Sequence, residues 1–164
     1  MSVLRLPRAV YDGLRSHGEQ SYPDECCGAL LGHPTPEGWL IVSTVRTANA
    51  CTGSARNRYS IAPADLVNIE REARRQGLSI AGFYHSHPDH PAQWSAADLA
   101  RAHWLGLSYV ITEIAQGKAA ATRSFMLAGT SEENKRFEQE AIEVNNAGSG
   151  LHQNCHSHVA HPQS

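Results

Sequence analysis

The chain has 164 residues, of which 41% are hydrophobic and 18% charged, and its formal net charge is -2. This length and balance suit one globular domain with its own core. A net charge so close to zero gives no reason to expect nucleic acid or a membrane surface as a partner. No apolar run approaches the length of a membrane span, and the N-terminal segment lacks the features of a secretory signal. We therefore expect a cytoplasmic protein whose four cysteines stay reduced.

The first half of the chain predicts two helices and three strands. Apolar spacing indicates a helix over residues 5–17, with Pro7 in its first turn. Apolar and β-branched runs indicate strands over residues 26–31 and 39–45, and a shorter strand over 58–61 follows a polar loop at 49–57. Pro63 and Gly77 mark the ends of a second helix, because proline is favoured in a first helical turn and glycine directly after a last one.

The second half predicts more strands and shorter helices. We expect a strand over residues 78–84, a helix over 95–104, strands over 106–114 and 119–127, and an amphipathic closing helix over 131–144. Interspersed helices and strands with hairpin-like neighbours indicate the α/β (α+β) class, with a mixed β-sheet flanked by helices. We expect one domain over residues 1–145 and a disordered tail over 146–164, since the tail opens with a Gly-Ser-Gly linker and has little to bury.

The most informative segment lies between residues 82 and 98. His85 and His87 alternate at the end of a predicted strand, so both imidazoles point to the same face. Asp98 lies in the first turn of the following predicted helix. Two histidines and one carboxylate are typical of catalytic zinc, which keeps a fourth position for water and lowers the pKa of that water toward ~7.

A hydrolase of this design also needs a base and an oxyanion donor. Glu25 precedes a predicted strand and is the candidate base, with its neighbour Asp24 as the local rival. Ser95 is the candidate hydrogen-bond donor to a tetrahedral intermediate. The Ser95-x-x-Asp98 pattern is also a helix capping signal, and we favour a dual use of both residues.

These residues and their neighbourhoods resemble the JAMM motif of MPN-plus zinc metalloproteases, in particular the prokaryotic JAB-domain members. The motif is similar in Glu25, then His85-Ser-His87, seven residues, Ser95, two residues and Asp98. The resemblance implies an MPN/JAB-like, cytidine-deaminase-like fold and Zn²⁺ as the cofactor. It also implies that His85, His87 and Asp98 bind the metal, that Glu25 is the general base and that Ser95 stabilises the intermediate. Trp94 departs from the proline that bacterial relatives often carry before the serine.

The resemblance further implies a substrate and a partner. Family members cleave peptide or isopeptide bonds at the C-terminus of ubiquitin or ubiquitin-like proteins, and small bacterial members are associated with ThiS/MoaD-type sulfur carriers. The expected partner is such a carrier, bound by a monomer or homodimer, with no nucleic acid and no membrane involved.

Two alternatives remain open from the sequence. The chain could be a non-catalytic MPN scaffold, which the complete ligand set argues against. The tail carries a Cys/His cluster that could collect a second metal, although adventitious binding is the preferred interpretation; its members are His152, Cys155, His156, His158 and His161.

Overall fold

The computed structural model describes residues 1–146, which form seven strands and three helices. The predicted tail over 146–164, including Cys155, His156 and His158, lies outside the described residues from position 147 onward. In chain order the elements are β1 (Val3–Pro7), α1 (Arg8–Ser21), β2 (Cys27–Thr35), β3 (Gly38–Thr47), α2 (Pro63–Gln76), β4 (Ser79–Pro88), α3 (Ala96–Arg101), β5 (Ser108–Ala115), β6 (Lys118–Ala128) and β7 (Arg136–Asn145).

The seven strands form one closed, mixed sheet. Its order is β1-β3-β2-β4-β5-β6-β7, and β7 pairs in parallel with β1 to complete the ring. The pairs β1–β3 and β4–β5 are also parallel, while the remaining pairs are antiparallel. The predicted mixed sheet with flanking helices is confirmed, and its closure is an addition that strand patterns alone did not indicate.

The helices cover two apolar faces of the sheet. On one face Leu14 of α1 packs with Leu6, Leu30 and Tyr84 from the strands. On the other face Ile69 and Ala73 of α2 pack in a second cluster with Phe83, Tyr109 and Leu127. Because both faces of β2 and β4 are covered, every residue from Ala81 to Pro88 is buried.

The close pairing of β4 with β5 depends on a glycine. A Cβ placed on Gly82 would lie 1.8 Å from the carbonyl oxygen of Ser108, so no side chain fits there. From Gly82 opposite Ser108, the parallel register continues to Pro88 opposite Ile114. His85 and His87 lie within this paired stretch of β4. Gly82 therefore allows the close approach of β4 to β5 along this register.

The largest error of the sequence analysis is the closing helix over residues 131–144, which is wrong. The segment forms β7, in which Ile142 and Val144 face the core with the two-residue period of a strand. Glu140 is buried between strands, where it accepts hydrogen bonds from the hydroxyls of Ser124 and Ser2. Pairing with β6 and β1 thus outweighs the helix preference of the glutamates in this segment.

Smaller corrections concern element boundaries. Residues 3–7 form β1, so the first helix begins at Arg8 rather than near residue 5 and continues to Ser21. Residues 58–61 are not a strand but part of an irregular connection. The helix expected over 95–104 ends at Arg101. Within residues 1–146, none of the helices combines the length and the apolar character that crossing a membrane requires.

Candidate functional site

The candidate site lies at the C-terminal end of β4. Side chains alternate along this strand, so Phe83, His85 and His87 face the α2 side of the sheet. Tyr84 faces the opposite side, where its hydroxyl lies 2.8 Å from Nδ1 of His17. The two histidines therefore point toward the short helix α3 that follows the strand.

Three side chains converge at this point with the spacing of metal ligands. The Nε2 atoms of His85 and His87 are 3.1 Å apart. Oδ1 of Asp98 lies 3.3 Å from Nε2 of His85, and Oδ2 lies 3.2 Å from Nε2 of His87. Zinc bonds of ~2.0 Å in a tetrahedron give ligand-to-ligand edges of about 3.3 Å. One ligand atom from each of the three residues lies within 4.8 Å of the other two, and the donor types are those that bind a divalent ion such as zinc.

The histidine rings are fixed from outside this cluster. Nδ1 of His87 lies 2.8 Å from the carbonyl oxygen of Pro91, an arrangement that puts the proton on Nδ1 and leaves the Nε2 lone pair for a metal. The ring of Tyr59 stacks on His85, with centroids 4.4 Å apart and planes 22° from parallel. Burial lowers the pKa of His85, which favours the neutral form that can act as a ligand.

Ser95 and Asp98 form the capping box that their spacing predicts. Oγ of Ser95 accepts a hydrogen bond from the amide of Asp98 at 3.1 Å, and Oδ2 of Asp98 accepts one from the amide of Ser95 at 2.8 Å. Burial opposes ionisation of Asp98, but the imidazoles of His85 and His87 that face it hold the pKa of the carboxyl below the usual range. The carboxylate therefore caps α3 and faces both imidazoles at once.

Glu25 is brought to the same place by the pairing of β2 with β4. Cys27 is the register partner of His85 in this antiparallel pair, so continuing the register by two residues puts Glu25 opposite His87 on the same face. Glu25 is 5% exposed and its Oε2 atom has no hydrogen-bond partner within residues 1–146, whereas Asp24 is exposed. Burial raises the pKa of the Glu25 carboxyl to about 8, with the nearby Asp98 adding to the rise.

A cavity of about 410 Å³ opens beside these groups. Glu25, His87 and Ser95 all line it, so the candidate base, a candidate ligand and the candidate oxyanion donor face one space. The remaining lining residues are Asn57, His90, Pro91 and Gln93. The cavity has room for a short segment of extended peptide beside the three-ligand cluster.

The sequence analysis did not predict two contacts of the site, that of Tyr59 with His85 and that of the Pro91 carbonyl with His87. Tyr59 was placed in a short strand, and no spacing rule connects it to His85, which lies 26 positions later. The carbonyl of Pro91 has no side-chain signal at all. Pro91 follows the end of β4 after two loop residues, and this position is the only sequence feature that could have indicated the contact of its carbonyl with His87.

Comparisons with known proteins show which family the chain is similar to. The family profile described as prokaryotic homologs of the JAB domain matches residues 7–128. A protein of Haloferax volcanii named desampylase is 31% identical over 114 residues, which cover 67% of this chain and 80% of the relative. A probable TtuB-protein conjugate cleaving protease of Thermus thermophilus is 31% identical over 109 residues, covering 66% of this chain and 69% of the relative.

Solved structures support the same conclusion. The solution structure of a Desulfitobacterium hafniense protein superposes with a TM-score of 0.75 at 24% identity, covering 87% of this chain and 93% of that one, and it shows the fold. A Salinibacter ruber protein solved in solution has a TM-score of 0.67 at 33% identity, covering 90% and 95% of the two chains. With a profile match over most of its described residues, the chain belongs to the family of prokaryotic homologues of the JAB domain.

Proposed function

We propose that the chain is a zinc-dependent peptidase that hydrolyses a peptide or isopeptide bond at the C-terminus of a ubiquitin-like or sulfur-carrier protein. The observation that carries this proposal is the convergence of His85, His87 and Asp98, which each offer one ligand atom within 4.8 Å of the others. Beside them the buried Glu25 carboxyl, whose Oε2 has no partner among residues 1–146, lines the same cavity as His87. The names of two relatives, a desampylase and a probable TtuB-protein conjugate cleaving protease, support the reaction and the class of substrate.

The metal would be held by Nε2 of His85, Nε2 of His87 and one carboxylate oxygen of Asp98. A zinc ion held there supplies a Lewis acid that lowers the pKa of water toward ~7 and polarises the scissile carbonyl. The neutral state of His85 and the ionised state of Asp98 are the protonation states that such ligands need.

Glu25 would accept the proton of the attacking water and pass it to the leaving amine. A general base works best when its pKa lies near the working pH, and burial places the Glu25 carboxyl in that range. Within residues 1–146 its Oε2 has no hydrogen-bond partner, which leaves one oxygen free for this exchange. The exposed position of Asp24 argues against that neighbour in the same role.

Ser95 would donate its hydroxyl hydrogen to the oxyanion of the tetrahedral intermediate. Its Oγ already accepts the Asp98 amide, and this bond uses a lone pair while leaving the O–H free to donate. The capping box therefore fixes the position of Ser95 while its O–H remains free to donate a hydrogen bond.

The test is a comparison of Glu25→Gln with Asp24→Asn, two substitutions that remove one carboxylate from adjacent positions. A carrier protein with a C-terminal extension is incubated with each variant and followed by mass spectrometry, with and without a chelator, and zinc is measured in the purified proteins. We expect Glu25→Gln to keep zinc and lose cleavage, and Asp24→Asn to match the unchanged chain.

Two results would remove the proposal. A chain that purifies without zinc and binds none when zinc is added would favour the scaffold alternative. Normal turnover by Glu25→Gln would exclude Glu25 from the reaction even if the chain is a peptidase.

A further inference from the structure

Asn49 lies in the connection between β3 and α2, residues 48–62, which has no helix or strand and which we term the 48–62 loop. Its side-chain amide uses all of its hydrogen-bonding capacity. Oδ1 accepts hydrogen bonds from the amides of Cys51 and Ser60, at 3.0 and 3.1 Å. Nδ2 donates to the carbonyl oxygens of Arg58 and Glu25, at 2.8 and 3.2 Å. A side chain with every donor and acceptor used holds a single position.

The same loop holds the backbone of Glu25. The Glu25 amide donates to the carbonyl of Ala55 at 2.7 Å, and the Glu25 carbonyl accepts from Asn49. Glu25 lies before the first residue of β2, so strand pairing does not fix these two groups. Both backbone hydrogen bonds of the candidate base therefore end in the 48–62 loop.

The loop also contacts the cluster of candidate metal ligands, His85, His87 and Asp98. Tyr59, next to the Arg58 carbonyl that Asn49 binds, stacks on His85. The carbonyl of Tyr59 accepts a hydrogen bond from Arg101 of α3 at 2.9 Å. One irregular segment thus contacts the candidate base, one candidate metal ligand and the helix that carries another.

We propose that Asn49 is a positioning residue that sets the distance between Glu25 and the metal cluster by tying the Glu25 carbonyl to both ends of the 48–62 loop. The inference rests on the proposed function. It adds a requirement that the motif residues do not contain, since a base misplaced by about 1 Å can cost on the order of 10²-fold in turnover.

The sharpest test is Asn49→Asp. Aspartate keeps the shape and the acceptor that binds Cys51 and Ser60, but it loses both donors and places a negative charge against the carbonyls of Glu25 and Arg58. We expect kcat on the extended carrier to fall at least ~10-fold. We expect KM and zinc content to stay within about twofold, because no ligand or cavity-lining residue changes.

A second variant, Asn49→Ser, covers the case in which the aspartate prevents folding. Serine is neutral and keeps an acceptor near the Cys51 amide, but it is too short to reach Glu25, so the same loss in kcat is expected. Cys51→Ser is the matched control in the same loop, because within residues 1–146 the only hydrogen bond of the thiol is a 3.9 Å contact with the Thr52 carbonyl. It should leave kcat and KM unchanged.

The outcomes separate this inference from the proposed function. An unchanged chain that binds zinc but cleaves no carrier ends the proposed function. An active unchanged chain with a folded, zinc-loaded Asn49→Asp or Asn49→Ser variant at full kcat overturns the positioning role. The positioning role is also overturned if either Asn49 variant raises KM at constant kcat. It is overturned as well if kcat falls only in proportion to a loss of zinc or of folded protein.

Discussion

Glu25 should make the metal-free protein lose stability as the pH rises. Burial raises the pKa of its carboxyl from the ordinary 4.5 to about 8. Between these two values the folded state binds more protons at this site than the unfolded state does, so the free energy of unfolding falls with increasing pH. The stabilising contribution of the protonated carboxyl is complete below pH 4.5 and is lost as the pH rises through 8. Glutamine at position 25 does not titrate, so Glu25→Gln removes this dependence.

The size of the effect follows from the shift. One pKa unit corresponds to about 1.4 kcal/mol, which sets a ceiling of about 5 kcal/mol for the change across this pH range. Relaxation of the buried carboxyl toward water lowers the expected value to about 2–4 kcal/mol. Effects of glutamine on packing are the same at every pH, so they cancel when the two pH values are compared.

Urea unfolding in the presence of a chelator at pH 5 and pH 8.5 measures this difference. The unchanged chain should lose about 2–4 kcal/mol more than Glu25→Gln between the two pH values. Asp24→Asn, at the exposed neighbouring position, should follow the unchanged chain. Equal pH dependence for Glu25→Gln and the unchanged chain would refute the view that Glu25 is held in a desolvated position before metal binds.

Three further predictions concern packing, the cap and the tail. Gly82→Ala should lower the free energy of unfolding, measured in urea, by about 3 kcal/mol, because the added Cβ meets the Ser108 carbonyl. Gly13→Ala in α1, where an added Cβ has nothing within 4 Å, should raise it by about 1 kcal/mol. Ser95→Ala should cost about 1 kcal/mol of stability and ~10²–10³ in turnover while zinc content stays the same, and unchanged kinetics would limit Ser95 to capping. Removing residues 147–164 should leave zinc content and turnover intact, because the closed sheet and all five candidate site residues lie within 1–146; a loss of either would contradict the expected domain boundary.

The local part of the site was predictable from the sequence for a simple reason. The two-residue period of a strand is enough to put His85 and His87 on one face, and three-residue spacing at a helix start is enough to pair Ser95 with Asp98. Both patterns appear in the structure as expected. The resemblance to the JAMM motif then connected Glu25 to these residues across 60 positions, a step for which periodicity offers no rule.

The helix predicted over residues 131–144 was wrong because contacts with distant parts of the chain decide the structure of this segment. The segment that forms β7 contains glutamates and apolar residues that suit either a helix or a strand when isolated. Its state is decided by Ser124 and Ser2, whose hydroxyls bind the buried Glu140, and by the open edges of β6 and β1. Those partners are brought together only when the sheet closes.

The sequence by itself determined that His85 and His87 share one face and that Ser95 pairs with Asp98, because short-range spacing is a property of neighbouring residues. Tertiary structure alone decided what surrounds these residues. The stacking of Tyr59 on His85, the Pro91 carbonyl that orients His87 and the hold of Asn49 on Glu25 join residues through loops. Loop contacts follow no period, and they depend on how β2, β4 and α3 pack against one another.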